Sequence, residues 1–168
     1  MKATNLLRRQ HREAERLFDE VMYSDDDRER LMRELALELA VHTALEERFV
    51  YPVLREALPG AYFMSLEEHA MAKVALERFV HSSPDDEGFE AKAALLKRLV
   101  VEHVDEEEND IFPELEDLLS PEDLKALGRQ LEEASTQLRS AGLEPLLVEN
   151  RRSAEAAVRN EDASAAPS

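Results

Sequence analysis

The sequence predicts an all-α protein, an up-down-up-down four-helix bundle with an additional C-terminal helix and a disordered tail. Three observations predict it. Apolar residues recur at spacings of three and four along nearly the whole chain, as amphipathic helices require. Leu, Ala, Glu and Arg dominate and glycine occurs only four times, a mixture that favours helix. Short polar breaks separate the long periodic segments, so each helix must turn back against its neighbour.

The first helix is expected over about residues 2–22, with Leu7, His11, Ala14, Phe18 and Val21 on one stripe. "YSDDD" breaks it and offers Ser and Asp as caps. The second runs to about Leu58 and carries Met32, Leu35, Leu39, His42, Glu46, Phe49 and Val53 in its seam, with Pro52 bending its last turns. "PGAYFM" reads as a loop, after which Ser65 and Glu68 have the spacing of a capping box that opens a third helix near Leu66. "HSSPDDEG" ends that helix. The fourth is expected from about Glu87 to Leu119, bent by Pro113 as the second is by Pro52.

Ser120-Pro121 starts a fifth helix, in which Leu124, Leu127, Leu131, Ala134 and Leu138 form a stripe suited to packing on the bundle or at an interface. The organisation is therefore a bundle over residues 1–119, an amphipathic helix over 120–142, and a polar tail over 143–168. The tail's end, "RNEDASAAPS", has the composition of a disordered segment.

A chain of 168 residues with 43% hydrophobic content suits one compact domain. Thirty-eight acidic residues against twenty-one basic ones leave a net charge of -17. Such a chain repels phosphate backbones and anionic membrane surfaces, which argues against nucleic-acid and membrane partners. There is no cysteine, so thiolate chemistry and sulfur-ligated metal sites are excluded. No signal-peptide pattern or membrane-length apolar run is present. A soluble, cytoplasmic protein is the expectation.

Two segments carry the same skeleton. His42 to Leu58 and His103 to Leu119 both read HxxxEExxφφPxLxxxL, where φ is a bulky apolar residue, and "QHREAERLF" around His11 aligns more weakly with "EHAMAKVAL" around His69. The first helix pair thus repeats in the second. Each of the four bundle helices carries one histidine in its core-facing stripe: His11, His42, His69 and His103. At about 1.5 Å of rise per residue, all four lie at similar depth from one end of the bundle.

Glu46 and Glu107 stand four residues beyond two of these histidines and share their helix faces. A carboxylate in that seam costs several kcal/mol unless it is paired or bound to a cation, and two facing each other also repel. A metal resolves both costs. A single histidine in a helical stripe is usually a hydrogen-bonded core residue, and a glutamate-rich face, including Glu47 and Glu106, reads as solvated. Four histidines at matching depth are a different matter. Six nitrogen and oxygen ligands are too many for one tetrahedral zinc and suit two first-row ions bridged by carboxylates, iron or manganese by ligand type. The ferritin-like arrangement needs a glutamate three residues before a histidine, and no histidine here has one.

At these residues the sequence resembles the hemerythrin-like (HHE cation-binding) family over about residues 3 to 119. The resemblance implies a four-helix bundle holding an oxo- or hydroxo-bridged non-haem di-iron centre, for which manganese or zinc can substitute. His11, His42, His69 and His103 would be terminal ligands, and Glu46 and Glu107 bridges. Glu108 is the alternative to Glu107, because oxygen-carrying members place that carboxylate five residues past the histidine; helix geometry favours Glu107, since i+5 is rotated about 140° from the ligand face. Those members also carry a second histidine where this chain has Lys73. Lys73 is expected to leave a coordination position open, to snorkel out of the seam or to donate to a bound anion, with Glu15 as its weak charge partner. Asp110 is a weaker candidate for orienting an imidazole, and His81 reads as exposed.

The resulting expectation is a metal-binding protein that binds or responds to O₂, peroxide or iron and redox state, with no assigned catalytic residue. The alternative is a metal-stabilised interaction or sensing module without turnover, its partner or second copy held by the C-terminal helix. Metal content separates both from a helical adaptor that binds no metal.

Overall fold

The computed structural model describes residues 1–24 and 27–164. The bundle is formed by α1 (Ala3–Tyr23), α2 (Arg28–Leu45) continued as α3 (Tyr51–Ala57), α4 (Pro59–Val80), and α5 (Phe89–Glu106) continued as α6 (Phe112–Leu118). Next come α7 (Pro121–Ala141) and α8 (Leu143–Ser164). No strand occurs among the described residues, and no helix is long and apolar enough to cross a membrane.

Around the bundle α1 packs on α2 and α5, while α4 packs on α5 and α2. The first two stripes read from the sequence face inward with Phe18 and Leu35, and Phe79, Leu96 and Phe112 join them from the other bundle helices; all five are fully buried. Burying side chains of this size stabilises by roughly 1.5–3 kcal/mol each. Asp27 caps α2 by accepting from the Arg30 amide at 3.2 Å; Asp25 and Asp26 of the "YSDDD" break lie outside the described residues.

Three expectations are corrected. "PGAYFM" is not a loop but the first turns of α4. Pro59 sits at the helix start, where its missing N–H costs nothing, and the Tyr62 amide already donates to the Leu58 carbonyl at 3.0 Å. Ser65 and Glu68 therefore lie inside a helix and form no cap.

The two prolines do more than bend their helices. Pro52 and Pro113 have no N–H to offer Arg48 and Asn109, and the ladder is reset one step earlier by a π-turn. The Tyr51 amide reaches back to the Glu46 carbonyl and the Phe112 amide to the Glu107 carbonyl. These turns, Glu46–Val50 and Glu107–Ile111, begin at the two glutamates of the repeat.

The polar tail over 143–168 is a helix to Ser164, with 165–168 outside the described residues. Leu143, Leu146, Leu147 and Asn150 are buried, a helical stripe in a segment whose composition is otherwise polar. Gly142, at φ 86°, allows the chain to turn between α7 and α8. α8 packs on α2 and α4, and Arg33–Glu144 and Arg48–Glu149 pairs at 3.2 and 2.5 Å join it to the bundle. The apolar stripe of α7 faces α1 and α2, with Leu124 and Leu131 fully buried.

Candidate metal centre

His11, His42, His69 and His103 reach one level of the bundle, together with Glu46 and Glu107. All six are buried, and both glutamates have no exposed surface. Their atoms form two groups, each close enough to hold a metal ion: His11, His42, Glu46 and Glu107 in one, Glu46, His69 and His103 in the other.

The imidazoles all point inward through Nε2. His11 Nε2 lies 3.2 Å from His42 Nε2, and His69 Nε2 lies 3.0 Å from His103 Nε2. Each Nδ1 faces outward to its own acceptor. Glu108 takes His11 at 2.7 Å, Gln10 takes His42 at 3.0 Å, Glu47 takes His69 at 3.2 Å and Glu68 takes His103 at 2.7 Å. An ionised carboxylate or an amide oxygen can only accept, so Nδ1 carries a proton, and a ring that holds no second proton turns its Nε2 lone pair into the site. That is the tautomer a metal needs, fixed by the partners that orient metal-bound histidines.

The two inner carboxylates link the groups. Glu46 Oε2 is 3.2 Å from His42 Nε2 and 3.3 Å from His69 Nε2. Glu107 places Oε2 3.2 Å from His11 Nε2 and Oε1 3.5 Å from His103 Nε2. Each carboxylate therefore spans one histidine of each pair. None of their four oxygens has a hydrogen-bond partner aimed at it, so these contacts are attractions of charge rather than directed bonds. Buried, unbonded carboxylate oxygens beside inward lone pairs suit a cation, and the donor set fits the hard-to-borderline ions expected from the sequence.

Without another cation, protons supply the balancing charge. Burial pushes the His103 imidazole down, but Glu107 and Glu46 overcome this and hold it well above 6.5. Burial lowers His42 too, and Glu46 outweighs it. Burial raises the Glu46 carboxyl, while the charge of His42 and the close imidazole nitrogens around it hold it well below 4.5.

Glu107, not Glu108, enters the site. Glu108 turns outward to His11, with its second oxygen taken by Arg12 at 2.5 Å. Glu47 does the same in the other half, between His69 and Lys73. Glu47 is therefore no solvated side chain: burial raises its carboxyl, and hydrogen bonds from His69 and Lys73 hold it below the usual range. Glu106 is half-buried beside Glu68, and burial and that neighbour raise its carboxyl.

Lys73 is buried, and its Nζ donates to Glu47 at 2.7 Å; Glu15 pairs instead with Arg12 at 3.2 Å. Asp110 is exposed, and His81 sits exposed at the end of α4.

Sequence reasoning missed the four outward partners and Tyr51, whose hydroxyl lies 2.9 Å from His69 Nε2 and donates to the Ser65 carbonyl at 3.3 Å. The second glutamate kept in both copies of HxxxEE was the available signal. A cavity of about 30 Å³ adjoins all four histidines and is walled by Ala14, Leu39, Leu76 and Leu96, with Lys73 at its edge. It has room for a ligand of one or two heavy atoms.

A helical bundle closing over a buried histidine–carboxylate cluster of this kind defines a cation-binding domain. The chain belongs to the hemerythrin HHE cation-binding domain family, whose model matches residues 2–115. Its fold is similar to the crystal structure of a hemerythrin HHE cation binding domain-containing protein, the Rv2633c homolog from Mycobacterium kansasii. The two are 24% identical with a TM-score of 0.76, over 92% of this chain and 97% of that one. No curated protein matches the sequence.

Proposed function

We propose that the chain is a non-haem di-iron protein that binds or responds to O₂ or peroxide. The observation that carries this reading is the span of Glu46 and Glu107, each of which approaches one histidine of either pair. Two ions held here would satisfy carboxylate oxygens that have no hydrogen-bond partner among the described residues. His11 and His42 would hold one ion, and His69 and His103 the other. The ligand set of oxygen-carrying members is not complete here, because Lys73 stands where they carry a second histidine.

When bound, the iron pair supplies the electrons for reaction with oxygen-derived ligands. The chain's own residues do the rest. Glu108, Gln10, Glu47 and Glu68 hold the rings in orientation. Ala14, Leu39, Leu76 and Leu96 limit water at the cavity, and its size restricts entry to small ligands. Lys73 stands at the edge, its charge balanced by Glu47.

The test is optical. Ferrous protein reconstituted under anaerobic conditions is expected to develop new near-ultraviolet or visible absorption when O₂ or peroxide is added. A featureless spectrum with two irons bound would contradict the reading.

A further inference from the structure

We infer that Tyr51 and Tyr62 form a path that carries an oxidising equivalent from the metal centre to the surface when peroxide meets a site holding a single ferrous ion. The inference rests on the iron and peroxide reading above. Tyr51 is buried and stacked on His69, ring centroids 4.9 Å apart, with its hydroxyl turned to the inward nitrogen of that histidine. Its other ring neighbour is Tyr62, 6.1 Å away and edge-on. Tyr62 is half-buried and meets the exposed Phe63 and the Arg55 guanidinium, so the series ends at solvent.

The arrangement is one-sided. In the repeat, Tyr51 corresponds to Phe112, which stacks on His11 at 5.8 Å, and Tyr62 corresponds to Thr4. Neither replacement is readily oxidised. The chain has no tryptophan or cysteine and only three tyrosines, so two of its three phenols stand in series between one ligand histidine and water.

Reducing one hydrogen peroxide to two waters takes two electrons and two protons. With one ferrous ion present, one electron comes from its oxidation to ferric. The second electron and one proton come from the Tyr51 O–H, and the other proton comes from solvent. Tyr62 then gives an electron to the Tyr51 phenoxyl and loses its own proton to water, while a second solvent proton restores the Tyr51 O–H. The radical is left on Tyr62, away from the ligand histidines.

The test loads the full chain with one equivalent of ferrous iron, adds one equivalent of hydrogen peroxide without oxygen, and follows iron oxidation by absorption. Freeze-quenched electron paramagnetic resonance reads the radical, and a nitroso spin trap with peptide mass spectrometry locates it. Wild type is expected to give a tyrosyl signal and an adduct on Tyr62. Tyr62→Phe should lose that adduct and keep a tyrosyl signal from Tyr51. Tyr51→Phe should lose both, down to the iron-free control.

If iron is oxidised but the adduct falls on Tyr23, a methionine or a ligand histidine, the path is overturned and the peroxide reading stands. The same holds if Tyr51→Phe leaves the Tyr62 adduct unchanged. If peroxide leaves the single ferrous ion unoxidised, the path is overturned; the peroxide reading falls as well only if the two-iron protein is also unchanged by peroxide.

Discussion

Glu108 accepts the Nδ1 proton of His11 at 2.7 Å, and Arg12 fixes the other oxygen of the same carboxylate. Glu47, His69 and Lys73 repeat the relationship in the second half of the bundle. Removing such a partner typically lowers metal affinity about 10–100-fold, because the ring loses both its orientation and its basicity. Glu108→Ala and Glu47→Ala should each weaken iron or zinc binding by that order in chelator competition. Wild-type affinity in both would remove these residues from the site.

The inner carboxylates should matter in both forms. In metal-free protein the charge of Glu46 is balanced by His42 and the imidazole nitrogens around it, which hold its carboxyl well below 4.5. Removing one partner of a buried charge pair is destabilising, by about 3–5 kcal/mol. Glu46→Gln should therefore lower the melting temperature of metal-free protein near pH 6 as well as its metal content. An unchanged or raised melting temperature in the metal-free form would mean that the imidazoles leave this carboxylate uncompensated.

The pH dependence separates the two forms. His103 titrates above its ordinary 6.5 in the fold, so the stability it contributes is complete below 6.5 and is lost as pH rises through the raised value. Glu46 titrates well below 4.5, so its contribution is complete above 4.5 and is lost as pH falls towards the depressed value. From these two groups, metal-free protein should be most stable between about 4.5 and 6.5 and weaken above it. Metal binding needs deprotonated imidazoles, so affinity should rise with pH over the same range. Thermal melts and metal titrations at matched pH check the crossing. Parallel pH profiles would contradict it.

Much of the centre was legible because its signal is periodic. His42-x-x-x-Glu46 and His103-x-x-x-Glu107 are local spacings, and a helix converts spacing into a shared face. The same geometry chose Glu107 over Glu108. Gln10, Glu68 and Tyr51 were not legible, because each acts on a histidine of a different helix and its role exists only once the helices pack. Pro52 and Pro113 signalled a disturbance of the helix, but not that the hydrogen-bond ladder would reset as π-turns beginning at the glutamates. In α8, Leu143, Leu146 and Leu147 were outweighed by the polar composition around them, although they pack against the bundle.

The additional helices are held close to the bundle at one point where only glycine fits. A Cβ on Gly128 of α7 would lie 2.2 Å from the Met1 carbonyl oxygen and 3.0 Å from the Ala3 nitrogen, both backbone atoms at the start of α1. Overpacking of this kind costs typically about 1–3 kcal/mol. Gly128→Ala should lower the melting temperature accordingly and leave metal stoichiometry intact. An unchanged melt would show that α7 does not need this approach.

The most direct measurement is metal stoichiometry, by elemental analysis and anaerobic ferrous titration of the metal-free chain at neutral pH, repeated on His103→Ala. Convergence of four imidazoles and two carboxylates that each approach both histidine pairs predicts two ions per wild-type chain and loss of at least one in the variant. A folded wild-type chain that takes up no metal, or a variant that binds as wild type does, would contradict it.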